Sequence, residues 1–324
     1  MTTEQLVAPS EIATGTILGQ MTTTVGHVTT GLWPVVLAAG AGKRLVTLTG
    51  GAPKQFWHPA GRPSLLESTL TRVGALGAKK HTTIVVDAGH AEYVRTVNEE
   101  WRDAQWLYQP RDRGTAPGVM LALTPVLELA PDQLVLLTPS DHGIVDTDMF
   151  RRSVLEAASA VIRRVADTVL FGIPPVSSCP DYGWIIPGAL CAGHGRDLRR
   201  IIGFREKPSA ADVPELVARR GLWSTMVLVA RASTLQRLYA AHLPAVADVF
   251  AHYLRLPASS RPGFLSSAYA TLPPSDFSRD VLAHAPGLAV HVWPSSIGWA
   301  DLGTPERLHE WMQYAKTRGT HNAA

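Results

Sequence analysis

The chain is poor in cysteine: Cys179 and Cys191 are the only two in 324 residues. They form no CxxC pair, and two cysteines are too few for a disulfide framework or a thiolate zinc site, which fits a reducing cytoplasm. Positive charge is missing from the beginning. The first cation is Lys43, so residues 1–42 lack the basic region of a secretory signal and the arginines of a transit peptide. No uninterrupted apolar run reaches the roughly 18 residues of a membrane helix. Dense basic clusters are also absent, and a net charge of only +3 suits small anions better than nucleic acid. Apolar residues are plentiful, at 46%, enough to build one large α/β core or two modest ones.

Residues 1–31 are rich in threonine with weak periodicity and read as a loosely ordered extension, in which Met21 is a second plausible start. Residues 32–324 read as a single domain. Its organising stretch runs from Pro34 to Phe56. Val35, Val36 and Leu37 form the continuous apolar run of a strand buried on both faces, and Ala38, Ala39, Gly40, Ala41 and Gly42 then remove side-chain bulk. Successive N–H groups in such a turn can bind an anion, with Lys43 and Arg44 arriving where phosphate charge would lie. The Walker pattern fails here, and so does the dinucleotide fingerprint, because Leu45 stands at the third glycine position. The segment closes instead on Pro53, Lys54 and Gln55.

Downstream, Ser64 and Glu67 have the spacing of a capping box that opens a helix to Leu76. Thr82–Asp87 reads as a strand and Ala91–Trp101 as a helix, an alternation that predicts an α/β fold with a predominantly parallel mixed sheet flanked by helices. Gly114 precedes a helix starting near Thr115, and the loop before it carries Arg111 and Arg113; this is either a second nucleotide contact or a solvated surface loop. Asp141 follows the apolar strand Leu134–Thr138, where open α/β sheets bind ligands, and is a candidate magnesium ligand or else a turn residue. Its neighbour His142 is a ligand contact or a hydrogen-bonded structural residue. Lys207, stopped by Pro208, reads on its own as a turn lysine in water; residues 257–274, rich in proline and small residues, read as a loop. Asp301, in a glycine-flanked turn, is a second candidate carboxylate.

The ordered set LAAGAGKRL with PKQF, RGTAP, TPSDH, YGWI, FREKP and GWADLG resembles the mannose-1-phosphate guanylyltransferase family from about residue 33 to the end. The resemblance implies a Rossmann-like nucleotidyltransferase domain that joins a sugar 1-phosphate to a nucleoside triphosphate and releases pyrophosphate. It implies that Ala38, Ala39, Gly40, Gly42, Lys43 and Arg44 hold the triphosphate, with Gly114 and Thr115 as further nucleotide contacts. Lys54 would face the reacting phosphates, and Asp141 and Asp301 would bind Mg2+. Glu206, Lys207, Gly183 and Ser224 would form the sugar-phosphate side. The long members of that family carry an added isomerase domain, for which 324 residues leave no room, and a homodimer is compatible with the pattern. The chain departs from the family at Val46 and Thr47 (for Trp-Pro), at Gly114 (for Asn), at Asp181 to Trp184 (for Gly-Tyr-Gly-Tyr) and at Ser224 to Met226 (for Asn-Ser-Gly). These changes fall mostly on the sugar side. The first segment also resembles the methylerythritol phosphate cytidylyltransferases, which lack the FREKP and GWADLG segments, and a weakly active regulatory homologue that binds nucleotide sugars is the third alternative.

Overall fold

The computed structural model describes residues 31–321 except Ala41, Ala60, Asn98 and 194–196; of the expected N-terminal extension, residues 1–30 lie outside the described residues. Val35 and Val36 are fully buried, as a continuous apolar run requires of a strand covered on both faces. They belong to β1 (Trp33–Ala38), which pairs in parallel with β2 (Thr83–Asp87) and with β4 (Leu134–Pro139), while β3 (Gln105–Gln109) runs parallel to β2. β9 (Leu222–Arg231) lies antiparallel between β4 and β6 (Thr168–Ile173). β10 (Leu288–Val292) runs parallel to β6 and antiparallel to β8 (Leu198–Glu206), which forms a hairpin with β7 (Gly183–Leu190). The resulting order is β3-β2-β1-β4-β9-β6-β10-β8-β7. A separate two-stranded ribbon pairs β5 (His142–Gly143) with β11 (Ala300–Asp301).

The fold is therefore mixed α/β, and the expectation of a predominantly parallel sheet is corrected. Among the described residues the large sheet has four parallel pairings and five antiparallel ones. The parallel part is the one whose βαβ alternation is visible in sequence. Its antiparallel part comes from a direct hairpin, which can only return in the opposite direction, and from β9, which enters between two earlier strands.

Seven helices among the described residues have ten or more residues: α1 (Leu65–Gly74), α2 (Thr115–Leu129), α3 (Thr147–Ile162), α4 (Ala232–His242), α5 (Pro244–Arg255), α6 (Arg261–Thr271) and α7 (Pro305–His321). α1 opens on the expected capping box, the Ser64 hydroxyl accepting from the Glu67 N–H and the Glu67 carboxylate from the Ser64 N–H. Strand side chains alternate between two cores. Val36, Ile84, Val86 and Leu136 join Leu66 and Leu70 of α1 and Phe150 of α3 in one core. Val35, Val85, Val135 and Leu137 join α2, α4, α5 and α6 in the other.

Two local expectations are also corrected. The 91–101 helix is a single turn, Ala91–Val94, followed by a 3-10 turn at Glu99–Trp101. Thr96 and Val97 bond back three residues, and the Thr96 hydroxyl takes the Tyr93 carbonyl, which competes with helix continuation. Residues 257–274 contain α6, because Pro262 stands in its first turn, where no N–H is required. No helix among the described residues is long and apolar enough to cross a membrane.

Candidate active site

The turn after β1 closes on the Pro53–Phe56 segment. Gln55 is buried, and its side-chain amide donates to the Ala38 carbonyl at 2.6 Å and to the Gly40 carbonyl at 3.1 Å, which fixes the course of the small-residue turn. Gly42 has φ 58°, and a Cβ there would lie 2.8 Å from the Lys54 Cβ. Only glycine meets both conditions. Gly40, by contrast, has open space where a Cβ would stand, and Arg44 is exposed. Leu45, the residue that breaks the dinucleotide pattern, is a buried anchor whose N–H returns to the Gly42 carbonyl. The side chain of Lys43 lies outside the described residues.

Lys54 is 3% exposed, a degree of burial that an ammonium tolerates only with charge partners. It has two. Its Nζ lies 3.0 Å from Asp141 Oδ2 and 3.6 Å from Asp301 Oδ1. These aspartates are 160 residues apart in sequence, and the β5/β11 ribbon brings them together by placing His142 opposite Asp301. Burial alone would raise the Asp141 pKa, but Lys54 and His142 together hold it below the usual carboxylate value. Burial lowers the His142 pKa, with Asp141 and Asp301 opposing, so the ring is favoured neutral.

Arg307, on α7, completes the group. Its guanidinium lies 3.4 Å from Asp301 Oδ2, 3.4 Å from Asp181 Oδ2 and 3.2 Å from the Cys179 sulfur, and it covers the Tyr182 ring at 4.7 Å. One oxygen of Asp301 thus faces Lys54 while the other faces Arg307. Neither Arg307 nor Gln55 stood out as a site residue in the sequence. Gln55 could have been found from its place inside the Pro-Lys-Gln run, whereas nothing in the pattern around Arg307 marks it.

Through Tyr182 the first group adjoins a second. Gly183 pairs with Glu206 across β7 and β8, and a Cβ at Gly183 would lie 2.6 Å from the Glu206 carboxylate and 3.3 Å from the Ser224 Cβ. Burial and the nearby Asp276 push the Glu206 pKa up to about 7, against Lys207 and Arg279. Lys207 is mostly exposed, with its ammonium 4.0 Å from Glu206; it meets this group and not the Lys54 group. Its φ of 45° holds the backbone where the chain leaves β8.

Gly114 and Thr115 form a third group. Gly114 has φ 81° and ψ −179°, a region open essentially only to glycine, and a Cβ there would strike the Ser275 carbonyl at 2.2 Å. The Thr115 hydroxyl bonds Asp276 and accepts from the Phe277 N–H, and the Ala116 N–H donates to Ser275. Segment 275–277 therefore occupies part of the α2 N-terminus. Arg113 is spent on the carbonyls of Tyr269 and Ala270 at the end of α6.

Residues 33–318 match the nucleotidyl transferase family. The chain belongs to that family. The alginate biosynthesis protein AlgA of Pseudomonas aeruginosa is 30% identical over 295 residues, covering 87% of this chain and 58% of AlgA. The mannose-1-phosphate guanylyltransferase RfbM of Salmonella typhimurium is 27% identical, covering 84% of this chain and 57% of RfbM. This nucleotidyl transferase thus spans a little over half the length of those curated relatives. A crystal structure from Thermus thermophilus, described as a mannose-1-phosphate geranyltransferase, superposes with TM-score 0.73 at 26% identity, covering 84% of this chain and 76% of that one.

Proposed function

We propose that this nucleotidyl transferase joins a sugar 1-phosphate, mannose 1-phosphate in the first instance, to a nucleoside triphosphate, GTP in the first instance. The N-terminal parallel part of the sheet serves as a Rossmann-like nucleotide half. One observation carries the reading: a buried ammonium, Lys54, held between two carboxylates directly against the Gly42 turn. That arrangement handles polyanions. In the reaction an oxygen of the sugar phosphate attacks the α-phosphorus in line; the new P–O bond forms as the bond to the β-phosphate bridging oxygen breaks, and pyrophosphate leaves. No enzyme nucleophile is needed, so the protein's task is alignment and charge screening.

The turn of Ala38, Ala39, Gly40 and Gly42, with Lys43 and Arg44, would take the β- and γ-phosphates on backbone N–H groups and cations. Gly114 and Thr115 would border the nucleotide. Lys54 would move its charge from the aspartates toward the reacting phosphates. Glu206, Lys207, Gly183 and Ser224 would receive the sugar phosphate. Asp141 and Asp301 fit a divalent cation such as Mg2+: they are hard oxygen donors already sharing one positive charge, and magnesium takes one or two carboxylates and leaves other positions to water and phosphate. Bound there, it would screen phosphate charge and polarise a phosphoryl oxygen.

Pyrophosphate release from GTP and mannose 1-phosphate with Mg2+ tests the reading. Wild type is expected to turn over, and Asp301→Asn to lose at least about 100-fold in kcat with its circular dichroism unchanged. Equal turnover by Asp301→Asn, or release only with CTP and a polyol phosphate, refutes it.

A further inference from the structure

A further cavity borders His142; Lys54, Asp141 and Asp301 are not among the described residues that line it. It has a volume of about 400 Å3 and is lined by Arg62, Ser68 and Arg72 from the α1 region, by His142 and Thr147, and by Trp311 of α7, among others. Among the described residues that line it are two arginines and a histidine and no aspartate or glutamate.

Arg72 makes this arrangement unusual. It is 6% exposed, and its partners among the described residues are the Thr69 hydroxyl, at 3.0 Å, and the face of Phe150. It makes no ion pair among the described residues, and its Nε has no hydrogen-bond partner. Burial pulls its pKa down to about 10, with no carboxylate contribution opposing. Buried charges in proteins are normally paired, because an uncompensated ion in a low-dielectric interior is costly. A guanidinium fork is also the side chain best shaped for the oxygens of a phosphate. His142 adds a second buried nitrogen without a partner, Nδ1.

We propose that this cavity binds a small phosphate-bearing anion on Arg72 and Arg62, at a site separate from the nucleotide-side turn. The chemistry is that of a phosphate dianion or phosphomonoester: a charged tetrahedral head for the two guanidinium groups, with room left in the cavity for a short polar body. The inference stands apart from the proposed transferase reaction, since neither arginine is assigned a part in it.

The test follows the melting temperature of the full chain as inorganic phosphate or glycerol 3-phosphate is added without nucleotide or metal. Wild type is expected to show a saturable rise, weakened at least tenfold in apparent affinity by Arg62→Ala and unchanged by Arg44→Ala, which removes a cation of the nucleotide side. Arg72→Met is expected to melt higher than wild type in anion-free buffer, having lost an unpaired buried charge, and to respond to neither probe. If that variant does not fold, Arg62→Ala decides the matter alone. Half-maximal effect at lower concentration with glycerol 3-phosphate supports a metabolite as ligand, and equal effect of both probes supports the free ion. A rise lost in Arg44→Ala but kept in Arg62→Ala would put the anion at the nucleotide side and overturn the proposal, as would the absence of any saturable rise.

Discussion

At the scale of single residues, the group with the sharpest consequence is Glu206. Its pKa is pushed to about 7 by burial and by Asp276, so the carboxyl is protonated in the fold at a pH where it is ionised in the unfolded chain. A raised folded-state pKa contributes stability that is fully present below the unfolded value of 4.5 and is lost as pH rises through 7. The loss is on the order of 3 kcal/mol. Urea unfolding at pH 5 and pH 8 should show this decline in wild type and a much flatter profile in Glu206→Gln; equal slopes for both would place the buried charge elsewhere. Met226 shows how a departure from the family pattern is accommodated. Where the resembling sequences have glycine, this chain has methionine at φ 59°, a conformation that costs a side-chain-bearing residue roughly 1 kcal/mol. The methionine sulfur in turn receives the Ser278 hydroxyl at 3.3 Å.

Among the elements, the β5/β11 ribbon is the one that brings the candidate site's carboxylates together, and α7 packs against it. Gly143 lies so close under Trp311 that a Cβ would fall 2.3 Å from the indole, and the indole N–H donates to the Gly298 carbonyl at 2.8 Å. A small core of Leu65, Leu302 and Leu308 secures the same helix beside the start of α1. Gly143→Ala should therefore shift ribbon and helix together. We expect a loss of roughly 1–3 kcal/mol in stability from overpacking and a fall in kcat of about 10–100-fold from misplacing the carboxylates, read by urea unfolding and pyrophosphate release; unaltered kcat would separate the ribbon from the chemistry. This element also marks the limit of what local sequence pattern discloses. The buried strands, the capping box at Ser64 and the small-residue turn are local patterns, and periodicity and spacing disclose them. The meeting of Asp141 with Asp301 depends on two two-residue strands far apart in the chain, too short to carry any periodicity. Only the resemblance implies it. The same limit hides Arg307, whose partners come from two segments far apart in the chain, 179–182 and Asp301, and α6, whose proline reads as a breaker until its position in the first turn is known.

For the whole molecule, the large sheet joins a parallel N-terminal part to a later part through β9, with helices contributing to the cores on both faces. Both edges that β9 fills, those of β4 and β6, belong to strands made earlier in the chain. That order has a consequence for biosynthesis. A ribosome adding roughly 5–20 residues per second takes several seconds to travel from Pro139 to Leu222, and throughout that interval β4 carries an unpaired, apolar edge of the kind that recruits other chains. A chain stopped at Gly221 should accordingly appear in the insoluble fraction far more than the full chain expressed at the same rate, and co-expressed chaperones should shift that balance; a soluble, monomeric stopped chain would contradict it. Slow translation through this window thus matters only before β9 emerges, when it prolongs exposure of the edge; afterwards the edge is already closed.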